Sequence, residues 1–385
     1  MTHKWKRSLI SLDYPLIVLV LLLAVISILS ISSATYTSDS SYVSKQIGWY
    51  VLGILLMTAV LLFDYRSLAQ GRFVYVLYVL GLILLMLVWV PGLGVKVKGA
   101  QEWIRIGSFQ FQPSELMKII LILTIAKHLA EVKRLPLRDY KTLGKIGLLF
   151  AVPFLIILKQ PDLGTALVLV GILGSMLLVG GLDWRWILTG VVIVVIVVGT
   201  VLGLYVTKSP LIHVILKPHQ IERIQTFLDP ASDPTGAGYQ LTQSMIAVGS
   251  GQLSGKGFHN GTQAQGKWIP EPHNDFIFAV FAEEFGFIGA SILLCIFIFV
   301  VYRMLRIALR CEDRFGPCII AGIVGMLVFQ VFQNIGMTIG LLPVTGLPLP
   351  FISYGGSSLL TQMVAVGLVL NVGMQQKREF LFMDR

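Results

Sequence analysis

Charge is scarce in this chain. Only 13% of its 385 residues are Asp, Glu, Lys or Arg, against about a quarter in soluble domains. With 55% hydrophobic residues and a mean hydropathy of +0.80, this scarcity excludes a soluble globular protein and points to a polytopic membrane protein. Cysteine is rare as well. Cys295, Cys311 and Cys318 have no metal-type spacing, and none lies in the long polar stretch, so there is no disulfide framework. The histidines, His3, His128, His213, His219, His259 and His273, show no metal-ligand spacing. A phosphate-binding P-loop is missing, and so is a Rossmann-type strand-turn-helix. A soluble nucleotide-binding domain has no room. Any catalytic centre here must take a substrate that arrives from the bilayer or the outer face. A polyprenyl-linked sugar fits that requirement and a nucleotide sugar does not. No strong repeat, low-complexity tract or heptad pattern occurs.

What is present is a series of apolar runs. A span needs roughly 20 apolar residues, and ten stretches qualify, at approximately 15–34, 47–63, 73–91, 113–131, 144–159, 162–181, 184–206, 275–301, 316–341 and 351–373. The expected fold class is all-α, one integral membrane domain over 1–385. The first run is too long for a typical signal-peptide core and reads as an uncleaved helix. The formal charge of +10 does not indicate nucleic acid, because its carriers sit in short loops between spans. With the N-terminus inside, 19 of the 30 Lys and Arg residues fall on the inner side. That bias predicts a cytoplasmic-membrane protein with both termini cytoplasmic. Residues 207–274 then form a large extracytoplasmic loop between the seventh and eighth spans, too long for a simple connector. Within it Leu241, Met245 and Val248 share a helical spacing, which predicts a short helix lying on the membrane surface.

Three acids occupy comparable places in this topology. Glu115, Asp162 and Asp275 each open a helix that descends from the outer side, where a carboxylate complements the helix dipole by about 0.3–1 kcal/mol. Asp275 stands out because Glu271, His273 and Asn274 converge on it. Glu283 and Glu284 lie about two turns deeper. There they either pack helices or tune the local field, since acids inside hydrocarbon need a reason. Lys118 is one turn from Glu115 and either pairs with it or holds an anion. Arg105 and Arg223, with Lys256 and Lys267, add basic groups on the same side that together suit a pyrophosphate. His273 either orients Asp275 or opens the helix. Prolines and glycines interrupt the apolar sequence from Gly340 to Ser358. Such backbone cannot face lipid, so it is expected to wall a cavity beside the acids, with Ser353, Ser357 and Ser358 offering hydrogen bonds.

These stretches resemble the SEDS family (shape, elongation, division and sporulation proteins), and within it the RodA branch. The resemblance rests on QPSELMK at 112–118, QPDLGTAL at 160–167, RIQTFLDP at 223–230, GYQLTQSMIAVGSG at 238–251, PEPHNDFIF at 270–278, AEEFG at 282–286 and PVTGLPLPFISYGGSS at 343–358. It departs at Asn274, where Thr is common. The resemblance implies a ten-span peptidoglycan glycosyltransferase that polymerises lipid II into glycan strands on the outer face of the membrane. It further implies a class B penicillin-binding protein as partner, other elongation-complex membrane proteins, and support from Mg²⁺ or Mn²⁺ with unknown ligands. Asp275 matches the family's essential Asp and is expected to be the general base. Lys118, Arg223 or a metal would neutralise the leaving pyrophosphate, Glu115 with Lys118 would shape the cavity, and Asp162 would support it. A lipid II flippase and a non-enzymatic scaffold are the rival readings; both need no polymerisation by the purified chain.

Overall fold

The computed structural model describes residues 12–37, 41–97, 100–107, 109–132, 137–212 and 218–383. Its helices are α1 (Tyr14–Ala34), α2 (Ser41–Leu61), the short α3 (Tyr65–Ala69) and α4 (Phe73–Leu87), then α5 (Pro113–Ala130), α6 (Tyr140–Lys159), α7 (Leu163–Val179) and α8 (Trp184–Val206). After them come α9 (Pro218–Leu228), α10 (Ala237–Ser250), the single turn α11 (Thr262–Gln265), α12 (Ile277–Ala308), α13 (Phe315–Thr338) and α14 (Gly356–Met383). Each of the ten apolar stretches coincides with one of these helices. Among the described residues, α1, α2, α6, α8, α12, α13 and α14 are long and apolar enough to cross a membrane, and α4 and α7 are shorter apolar helices.

Aspartates set several of the helix starts. Asp13, Asp139, Asp162 and Asp183 precede α1, α6, α7 and α8, and each accepts a backbone N–H of the first turn. Such caps contribute about 1 kcal/mol each. Asp13 also receives the guanidinium of Arg303 at 2.6 Å, which ties the start of α1 to the far end of α12.

The bundle is organised around α5. It packs on α4, α6, α7, α13 and α14, and nearly all of its residues are buried. That explains why the least apolar stretch can carry Glu115, Lys118 and Lys127: it is surrounded by protein rather than lipid. Polar side chains fasten its neighbours, with Gln362 donating to Gln330 across α14 and α13 at 2.7 Å and Asn371 donating to Val60 O at 2.6 Å. At the opposite extreme, no residue of α8 is buried, and its Val/Ile-rich surface faces outward all round.

The all-α expectation needs a correction. Between α4 and α5 lies a three-stranded antiparallel sheet, β1 (Gly94–Val97), β2 (Ala100–Ile106) and β3 (Phe109–Phe111), in the order β1-β2-β3. Arg105 pairs with Gln110 and Ile104 with Phe111. Trp103, Ile104 and Ile106 are residue types that favour a strand, and β3 runs through Gln112 directly into α5.

The eighth apolar stretch also differs from expectation. Gly286 breaks α12 with φ 65° and ψ −165°, a region open only to glycine. Residues Ile277 to Glu284 before the break are buried, whereas Phe287, Ile288, Ile292, Ile298 and Phe299 after it are exposed. The helix Ile277–Ala308 as a whole is long and apolar enough to cross a membrane, and its part with exposed apolar side chains starts at 287. The 22 residues from there to Ala308 rise about 33 Å, enough for the hydrocarbon core. The long loop fills the break. Phe287 N donates to Gln252 O and Ile288 N to Leu253 O, while Lys256 N and Gly257 N donate to Glu283 O and Glu284 O. Helix α10 forms where the spacing predicts it, with one face packed against protein and Met245 and Ile246 exposed on the other. Leu241, Ser244 and Ala247 are buried, and Ser244 Oγ donates to Thr338 O at 2.8 Å.

Candidate active site

Asp275 sits immediately before Phe276, the N-cap of α12, and is half-buried. Its backbone is held from two directions. Asn334, fully buried in α13, donates its Nδ2 to Asp275 O at 2.8 Å and to Leu347 O at 2.8 Å. Ser353 Oγ donates to Asn274 O at 2.7 Å, and Tyr354 N donates to His273 O at 2.9 Å. The proline-rich segment from 343 to 354 is thus packed on protein as a wall beside the acid. Gly346, with φ +74°, faces the carboxylate so closely that a Cβ there would lie 3.6 Å from Asp275 Oδ2. Leu347 and Thr345 press in turn on Gly164 in the first turn of α7. The same wall therefore carries Asp275 on one side and the Asp162 end of α7 on the other.

The sheet brings a third carboxylate. Glu102, on β2, shares a hydrogen bond with the Asp162 carboxyl and feels the charge of Asp275. Gln112 spans the pair, its Nε2 donating to Glu102 Oε2 at 3.3 Å and to Asp162 Oδ2 at 3.2 Å, while its backbone N donates to Ser357 Oγ at 3.2 Å. Asp162 Oδ1 meanwhile caps α7 through Thr165 N at 2.9 Å. Burial, then the neighbouring charge of Asp162, its hydrogen bond and Asp275 push the Glu102 carboxyl up to about 8. Burial and the Asp162 carboxylate thus favour a proton on Glu102.

The other expected site residues divide. Arg223, on α9, lines a shallow cavity with Leu158, Pro161, Leu163 and Gln220, so it flanks the Asp162 turn. His273 packs against Tyr42 at 4.3 Å between ring centroids and against Tyr354 at 5.9 Å. Ser353 and Ser357 both spend their hydroxyls on backbone groups, fixing loops. Arg105 is exposed, its Nε donating to the Gln110 amide oxygen at 3.0 Å. Strand alternation puts it on the face opposite Glu102, away from the carboxylates. Lys118 is 0% exposed and paired with Glu115 at 2.7 Å in the interior of the bundle, so its ammonium is closed to an external anion. Of the two readings of Lys118, this geometry supports the ion pair.

Glu283 and Glu284 lie before the break in α12 and so not in its part with exposed apolar side chains. Glu283 is 0% exposed and accepts from Lys256 Nζ at 2.6 Å, Thr262 Oγ1 at 3.1 Å, Gln263 N at 3.0 Å and Ala264 N at 3.3 Å. It moors the long loop and satisfies the start of α11. Glu284 accepts from Ser33 Oγ at the end of α1. Both are packing acids that set the loop on the bundle. Lys256 belongs to that mooring, and Lys267 is exposed.

Glu102, Gln112 and Asn334 are the site residues that sequence reasoning passed over. Glu102 was hidden in a strand not recognised as one. Asn334 did leave a signal, a polar side chain in the middle of an apolar span.

The sequence model of the cell cycle proteins FtsW, RodA and SpoVE matches residues 9–378. Stage V sporulation protein E of Bacillus subtilis is 38% identical over 94% of this chain and 96% of its own length. Peptidoglycan glycosyltransferase MrdB of Escherichia coli K12 is 39% identical over 97% of this chain and 96% of its own. Among solved structures, a chain of a peptidoglycan synthase complex that coordinates polymerization and crosslinking superposes with a TM-score of 0.79 at 33% identity, covering 95% of this chain and 98% of that one. The rod shape determining protein RodA of Thermus thermophilus superposes with a TM-score of 0.68 at 30% identity, over 95% of this chain and 97% of that one.

Proposed function

The chain belongs to the FtsW, RodA and SpoVE family of cell cycle proteins, and from that premise we propose that it is a peptidoglycan glycosyltransferase polymerising lipid II, with Asp275 as general base. The supporting observation is the position of Asp275. It is a half-buried carboxylate outside the part of α12 with exposed apolar side chains, held at its own carbonyl and set against a wall of protein.

In this reading the acceptor is a sugar hydroxyl of lipid II. The donor is the growing strand, joined through its anomeric carbon to a polyprenyl pyrophosphate. The hydroxyl oxygen attacks that carbon from the face opposite the pyrophosphate. The C–O bond to the pyrophosphate breaks, the configuration inverts, and Asp275 takes the hydroxyl proton. Such base assistance contributes about 10²–10⁴-fold. Charge developing on the leaving pyrophosphate needs a cation, and Arg223 at the Asp162 turn is placed for that task. The Glu115–Lys118 pair shapes the bundle beneath, and Asp162 supports the site through Gln112.

Among the described residues no three His, Cys, Asp or Glu side chains are grouped to hold a metal ion. We place Mg²⁺ or Mn²⁺ on the substrate's pyrophosphate. The chain crosses the bacterial cytoplasmic membrane ten times as a single domain with both termini inside and residues 207–274 outside. Its partners are a class B penicillin-binding protein that crosslinks the strands and further elongation-complex membrane proteins. The test is lipid II supplied to the purified chain in detergent, with no energy source. Glycan polymer is the expected product. Lipid II that only crosses sealed vesicles, or no reaction at all, would favour a flippase or a scaffold.

A further inference from the structure

A single amide nitrogen joins the two segments that face each other across the site. Asn334 Nδ2 carries two protons and has two carbonyl oxygens at 2.8 Å, one belonging to Asp275 itself and one to Leu347. With acceptors on both sides, the amide orientation is fixed. The side chain is 0% exposed, and its Oδ1 accepts no hydrogen bond from the described residues. A buried amide with an unused acceptor costs stability, so packing alone does not account for asparagine at this position. The same two segments are also joined further along, where Ser353 and Tyr354 hold Asn274 and His273; Gln333 Nε2 donates to Pro343 O at 3.2 Å. What Asn334 adds is a constraint on one distance, that between the backbone of residue 275 and the wall at 346–347 that its carboxylate faces.

We infer that Asn334 is a positioning residue for the general base, setting the Asp275 carboxylate against the Gly346–Leu347 wall by donating to both backbones at once. This rests on the glycosyltransferase reading above. The physical consequence is specific. A base displaced by about 1 Å loses on the order of 10²-fold in the chemical step, whereas groups that bind the lipid and the pyrophosphate stay where they were. Asn334 touches no substrate, so its effect belongs in kcat and not in KM.

The test uses two variants of the full chain. Asn334→Asp keeps the shape but presents a carboxylate to two carbonyl oxygens. Asn334→Leu suits an apolar helix and offers no donor. For each, the folded fraction is measured in detergent by size exclusion and thermal melting, and lipid II polymerisation is then followed against substrate concentration. The expected result, per folded molecule, is a kcat about 10²-fold below wild type with KM within threefold, in both variants or in whichever one folds. A folded Asn334→Leu protein with kcat within threefold of wild type would overturn the assignment. So would a matching rise in KM, or failure of both variants to fold, since each would make the residue a packing or binding element. Wild type run alongside Asp275→Asn keeps the two questions separate: if wild type polymerises and Asp275→Asn does not, the glycosyltransferase reading stands whatever the Asn334 variants do. If wild type makes no polymer, both fall.

Discussion

Replacing Glu283 with Ala removes the anchor of the long loop, and the size of the effect follows from what the carboxylate holds. It is completely buried, receives the Lys256 ammonium at 2.6 Å, and satisfies the backbone N–H groups of Gln263 and Ala264 at the start of α11. Truncating one partner of a buried, hydrogen-bonded ion pair costs about 3–5 kcal/mol. At 1.4 kcal/mol per factor of ten, the loop should open roughly 10²–10⁴-fold more often. The assay is amide hydrogen exchange at Gln263 and Ala264 in detergent, whose protection should fall by that factor while the amides of α5 keep theirs. Adding Lys256→Ala to Glu283→Ala should cost much less than the sum of the two single changes, because the second change removes a charge already stranded. Exchange at Gln263 and Ala264 within threefold of wild type, or strict additivity of the pair, would refute the claim that Glu283 moors this loop.

The remaining predictions follow from the same geometry. Gly286→Ala forces a side chain into a glycine-only conformation, with its Cβ 2.3 Å from Gly255 N; backbone strain alone costs about 1–3 kcal/mol, and an unchanged melting temperature would contradict the break in α12. Lys118→Met should destabilise the protein by about 3–5 kcal/mol by stranding buried Glu115, and Glu115→Leu in the same chain should recover most of that; equal melting curves for single and double variants would count against the interior ion pair. Glu102 is protonated below about pH 8, and above it ionises beside Asp162 and Asp275, so polymerisation should fall about tenfold per pH unit on the alkaline side. In Glu102→Gln, which cannot ionise, that limb should vanish, and an identical limb in both proteins would show that another group titrates there. With the ion placed on the substrate as proposed, chelating divalent cations should stop turnover without lowering the melting temperature; a melting temperature that drops on chelation would place the metal in the fold.

The helices were legible as apolar runs bounded by charge, and seven of those among the described residues are long and apolar enough to cross a membrane. Asp162 and Asp275 were legible in part, as acids at helix starts. Two kinds of information were not local. The break at Gly286 depends on residues 252–257 approaching from elsewhere in the chain, and one glycine in AEEFG does not announce a change of backbone conformation. The reach of a side chain was also hidden. Lys118 and Glu115 share a helix face in any reading, but only the packing of α4, α6, α7, α13 and α14 around α5 decides that this face is closed. Glu102 shows the cost of an unread strand: QEWIRI has no clean polar-apolar alternation to announce it, and only the strand's two-residue period separates Glu102 from Arg105.

The most direct measurement is polymerisation of purified lipid II by the Asp275→Asn chain, with its folded state verified by its melting curve. The amide is isosteric and cannot take the acceptor's proton, so the account predicts a folded protein with wild-type stability and glycan synthesis reduced by at least about 10²-fold. A folded Asp275→Asn protein that makes polymer at the wild-type rate would contradict it.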